Sequence, residues 1–97
     1  MQAQDYKIIL FGDSLMAGYG LDSADHLNFY LEKDLQALSI QSSITNASVS
    51  GDTTSGGLNR LNWSLQDDYD LFVLGLGAND MLRGIVPEIT KNNLSKI

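Results

Sequence analysis

The sequence predicts an α/β domain on a parallel sheet, doubly wound and with flavodoxin-like strand order, of which about three strands and two to three helices are present. Three observations predict it. Short apolar runs at residues 7–11, 40–49 and 71–76 have strand character. Between them stand stretches whose leucines recur at helical spacing. Strands alternating with helices in this way require crossover connections, which lay the strands parallel with right-handed crossovers.

Each element has its own reasons. Lys7 to Phe11 is β-branched and aromatic and is closed by Gly12, as a buried strand would be. Asp22 or Ser23 can cap a first helix carrying Leu27, Leu31, Leu35 and Leu38 on one stripe. Ile40 to Val49 alternates weakly and is rich in Ser and Thr, which suits an edge strand. Asp52 or Thr53 can cap a second helix with Leu58, Leu61 and Leu65 along one side, and Trp63 is expected to cover the sheet with them. Leu71 to Leu76 is the most apolar run and reads as a central strand covered on both faces. Pro87 fits the first turn of a third helix, and Glu88 stands near its positive end. No repeat, linker or low-complexity segment divides the chain, so residues 1–97 read as part of one domain.

Composition narrows the function classes. Hydrophobic residues are 43% and charged residues 19%, a globular balance. Six Lys and Arg against twelve Asp and Glu give a net charge of −6, which argues against nucleic acid as a partner. The absence of cysteine excludes disulfides, thiol catalysis and cysteine-ligated zinc. No apolar run reaches the roughly 18 residues of a membrane span, and Met1 to Asp5 has no signal-peptide pattern. The compartment stays open.

In a doubly wound sheet, ligands bind beyond the carboxyl ends of the strands. All three strand ends here are followed by small polar residues: Gly12-Asp13-Ser14, Ser50-Gly51-Asp52 and Gly77-Ala78-Asn79-Asp80. Acyl transfer needs a nucleophile and donors aimed at the developing oxyanion. Ser14 offers a hydroxyl near the start of a helical turn. Gly51 lacks a Cβ, so its N–H can approach a substrate oxygen closely. Asn79 offers two amide donors.

The same residues carry a family resemblance. "GDSLMAGYG", "NASVSGDTTSGGLNRL" and "LGLGANDMLRG" resemble, in order, three signature blocks of the GDSL or SGNH serine hydrolases. The resemblance implies Ser14 as nucleophile, with Gly51 N–H, Asn79 and Ser14 N–H as the oxyanion hole. It implies an ester, thioester or lysolipid substrate and no metal or cofactor, most like the bacterial thioesterases, lysophospholipases and arylesterases. A periplasmic or secreted location would fit that group. The family's Asp-x-x-His block has no counterpart, because the one histidine, His26, follows Ser23 by three residues, and the sequence stops at "TKNNLSKI". Two expectations follow: these residues form the N-terminal portion of a hydrolase domain, inactive alone, and the third strand is an open edge through which the chain self-associates.

Other readings attach to the same residues. Ser14, Gly51 and Asn79 could serve as a cap, a turn and a backbone bridge in a non-catalytic fragment. His26 is expected to be a solvated first-turn residue, not the base. Asp13, Asp52 and Asp80 could together hold Mg²⁺ in a phospho-acceptor domain. "GLGAND" lacks the sixth-position glycine of a dinucleotide loop. Asp67, Asp68 and Asp70 are expected to be solvated at the opposite rim.

Overall fold

The computed structural model describes residues 5–97. Three strands, β1 (Asp5–Gly12), β2 (Gln41–Asn46) and β3 (Leu71–Gly75), form one sheet in the order β2-β1-β3. Both pairings are parallel, with Ile8 opposite Ile44 and Leu71, and Phe11 opposite Leu74. Three longer helices stand where helices were expected: α2 (Leu27–Ala37), α3 (Thr54–Ser64) and α5 (Pro87–Lys96). Two short ones, α1 (Ser14–Ala17) and α4 (Ala78–Leu82), follow the first and third strands directly.

The central strand supplies the core. Ile8, Ile9, Leu10 and Phe11 are buried, because β1 alone has a neighbour on each edge and cover on each face. Phe11 meets Phe72 with ring centroids 5.3 Å apart and lies under α3 at Gly57. Gly57 is the contact point: a Cβ there would stand 2.5 Å from Leu76 Cδ1 and 3.3 Å from Phe11 Cε2, so a larger residue would make these side chains shift. On the opposite face Met16 of α1 covers Gly12 and Gly75, while α2 packs on β2.

The structure corrects several boundaries. Asp22 and Ser23 do not cap α2; Ser23–Asp25 forms a separate 3-10 turn and α2 begins after His26. Leu38 then falls at the helix end and is exposed. The second strand is shorter than expected, because Asn46 Oδ1 accepts from Ser48 N at 3.2 Å and turns the chain out of the ladder. Trp63 is 73% exposed and covers nothing. It stands six residues beyond Gly57, roughly 240° round the helix from the contact face. Asp70 is not merely solvated: its carboxylate accepts from Lys7 N at 2.9 Å and its N–H donates to Lys7 O at 2.7 Å, fixing the start of the β1–β3 ladder. β3 pairs only with β1 among the described residues, and Leu71 and Leu74 are exposed.

Candidate active site

The parallel ladder brings three loops to one rim. The first is the shortest. Asp13 is buried and caps α1, its Oδ1 accepting from Leu15 N at 3.0 Å. Ser14 is therefore the first helical residue, where a backbone N–H has no intrahelical partner. It is only half-buried. Asn46, at the end of β2, donates to Met16 O at 2.8 Å and holds this helical turn against the neighbouring strand.

The second loop is a tight turn. Asp52 N donates to Val49 O at 3.2 Å, and Gly51 between them has φ +81°. That value at the third residue of a turn is what a type II turn demands, and glycine meets it without strain. The turn's own hydrogen bond uses the Asp52 N–H, so the Gly51 N–H lies outside it. A Cβ on Gly51 would meet nothing within 4 Å, so the turn stands open to the rim.

The third loop is joined to the second. Asn79, in α4, donates from Nδ2 to Asp52 O at 2.9 Å. The amide has two hydrogens, and this bond occupies one. Arg83 Nη2 reaches Gly51 O at 3.1 Å from the end of the same helix. The three expected residues thus sit on three segments at one rim, and the second and third segments are linked by the Asn79–Asp52 and Arg83–Gly51 hydrogen bonds.

The three aspartates do not converge on a common point. Asp13 caps α1; Asp52 Oδ2 pairs with Arg60 Nε at 2.7 Å; Asp80 turns inward. The Asp80 carboxylate, 1% exposed, accepts from Thr54 N at 2.7 Å, Thr54 Oγ1 at 2.5 Å and Thr90 Oγ1 at 2.8 Å. Burial pushes this carboxyl up, and the donors from Thr54 and Thr90 outweigh it, holding it below the ordinary carboxylate range. Among the described residues no three carboxylates or histidines stand together as a metal would need. The magnesium arrangement read from the sequence has no geometry here, because each carboxylate is committed to another partner.

His26 is likewise committed elsewhere. Its Nε2 bonds Leu21 O at 3.1 Å, and its ring packs so closely on Gly18 that a Cβ there would stand 2.3 Å from the imidazole. Of the two caps expected for α3, Thr53 is the one used, accepting from Gly56 N at 3.2 Å. One polar group was not singled out from sequence. Arg60 reaches all the way to the rim; a lone cation on the sheet-facing side of α3, in a chain of charge −6, was the available signal.

Residues 10–97 match the GDSL-like lipase/acylhydrolase family. The chain belongs to that family. It is 41% identical to an arylesterase of Vibrio mimicus over 94% of its own length and 46% of that protein's. It is 38% identical to the thioesterase 1/protease 1/lysophospholipase L1 of Escherichia coli over 93% of its length and 42% of that protein's. Among solved structures, the SGNH-hydrolase family esterase AlinE4 superposes with a TM-score of 0.93 at 43% identity, covering all of this chain and 53% of that one. This GDSL chain spans about half the length of the curated relatives it matches. Its sheet and helices are those of the SGNH hydrolase fold.

Proposed function

We propose that this chain supplies the nucleophile and the oxyanion donors of a serine hydrolase acting on carboxylic esters or thioesters. The observation that carries the reading is the Asn79–Asp52 hydrogen bond, which draws the Asn79 amide to the Gly51 turn at the rim where β1 delivers Ser14. In the proposed cycle the Ser14 hydroxyl attacks the acyl carbon. The Ser14 and Gly51 N–H groups and the second Asn79 hydrogen receive the charge on the carbonyl oxygen. A base takes the Ser14 proton and returns it to the leaving group; water then releases the acid. His26 is turned to Leu21, so the base and its orienting carboxylate come from residues outside these 97, which act as the N-terminal portion of one hydrolase domain.

The acyl or aryl group has a place to lie. A hollow of about 390 Å³ opens between the Ser14 and Asn79 loops, lined by Asp13, Leu15, Met16, Leu27, Gly75, Leu76 and Ala78. Its mainly apolar wall fits the acyl part of an ester, a thioester or a lysolipid. The proposal extends to self-association of the 97-residue chain through the edge of β3, which is unpaired among the described residues.

A fluorophosphonate probe tests the reading, since only an activated serine is phosphonylated. The full-length protein is expected to be labelled at Ser14, and Ser14→Ala to lose both labelling and p-nitrophenyl ester hydrolysis. The 97-residue chain alone is expected to label weakly. Full activity in Ser14→Ala would overturn the assignment.

A further inference from the structure

Arg60 binds the segments that follow the first two strands. Its Nε donates to Asp52 Oδ2 at 2.7 Å, Nη1 to Ala47 O, and Nη2 to Gly12 O at 3.1 Å. Its Cζ lies 3.9 Å from the centroid of the Phe11 ring, so the guanidinium is stacked as well as hydrogen-bonded. Gly12 ends β1 two residues before Ser14, Ala47 follows β2, and Asp52 follows Gly51. Asp52 in turn gives its backbone carbonyl to Asn79. One side chain from α3 therefore sets the separation between the serine loop and the Gly51 turn, and acts on Asn79 through Asp52.

We propose that Arg60 is a positioning residue for the oxyanion site, an inference that rests on the hydrolase reading above. The planar fork is what the place requires. Arg presents five N–H donors in one fixed plane, whereas Lys is a point charge on a flexible stem. Lys could neutralise Asp52 but could not span a carboxylate and two carbonyls while stacking on Phe11. The pair is largely buried, with the Arg60 and Asp52 side chains 20% and 11% exposed. A buried ion pair is weak evidence for stability, and its better-attested use is to specify one geometry. Here the specified geometry is the distance from Ser14 to its donors. A displacement of about 1 Å at such a site costs about a hundredfold in rate.

The test is Arg60→Lys in the full-length protein, assayed well below its melting temperature. The expected result is a kcat reduced by about 10–100-fold with KM little changed, as loss of transition-state stabilisation requires. Ser14 should still react with the fluorophosphonate, more slowly. Backbone amides at residues 47–53 should exchange faster while those of β1 stay protected. Arg60→Ala should shift both readouts further, and added guanidinium should partly restore its rate. Wild-type kcat in Arg60→Lys, or unaltered exchange at residues 47–53, would overturn the positioning role while leaving the hydrolase reading intact. An unlabelled Ser14 in the unsubstituted protein would instead remove the hydrolase reading, and this role with it.

Discussion

Asn79 illustrates how much one side chain is asked to do. Its Nδ2 carries two hydrogens; one goes to Asp52 O, and the proposed function assigns the other to the oxyanion. Replacing it by Ala removes the donor and frees the Asp52 carbonyl. In the full-length enzyme Asn79→Ala should lower kcat by about 10²–10³-fold and leave KM nearly unchanged, as loss of an oxyanion donor does elsewhere. Steady-state kinetics on a p-nitrophenyl ester measures this, and an unchanged kcat would remove Asn79 from the site. Ser14, Gly51 and Asn79 could be singled out from sequence because each lies within five residues of a strand end, where a doubly wound parallel sheet places its ligands. Arg60 was not. Two of its three acceptors are main-chain carbonyls, which every residue has, so no side-chain pattern announces them.

Between elements, Asp80 joins three helices. It leaves α4, binds the first amide and the hydroxyl of Thr54 at the start of α3, and takes Thr90 from α5; Asn93 of α5 donates to Thr54 Oγ1 at 3.1 Å. A carboxylate at the amino end of α3 also meets the positive end of its dipole. Because the folded carboxyl lies below its ordinary value, the unfolded chain binds the proton first. The Asp80 contribution is therefore complete above the ordinary carboxylate pKa, near 4, and is lost as pH falls through the lower folded value. Asp80→Asn should cost about 1–3 kcal/mol at neutral pH by leaving buried donors poorly matched. Its melting temperature should then fall less steeply than the wild type's below about pH 4. Thermal melts from neutral to acid pH measure both, and parallel curves would show that Asp80 carries no such linkage. From sequence, Asp80 looked like one of three possible metal ligands; its partners lie 26 and 10 residues away, on helices whose packing a linear pattern does not specify. The start of α2 was misplaced for a related reason. Asp22 and Ser23 have the chemistry of caps, yet the chain spends them on a 3-10 turn that sets His26 against Gly18.

At the scale of the molecule, the alternation of strands and helices implied a parallel sheet, and the flavodoxin-like order expected for it places the first strand between the second and third, as in the observed β2-β1-β3. What it could not give was how little those helices would cover. The radius of gyration is 14.7 Å, against about 13 Å for a compact domain of this length. The fully buried apolar side chains are consecutive residues of β1, and beside them β3 shows Leu71 on one face, 52% exposed, and Leu74 on the other, 37% exposed. A strand with apolar residues on both faces and one unpaired edge among the described residues offers a second strand both hydrogen bonds and apolar contact. Sedimentation velocity on the 97-residue chain should accordingly show concentration-dependent association. Leu74→Lys places a charge on that edge, in the manner natural edge strands use to block pairing, and should shift the distribution toward monomer. The substitution faces the same side as Phe11 and Phe72, so a circular-dichroism melt must accompany it to verify that the sheet persists. A wild-type chain that sediments as a monomer at every concentration would mean that β3 does not recruit a partner. The exposure of Leu71 and Leu74 would then have to be tolerated by the folded chain alone.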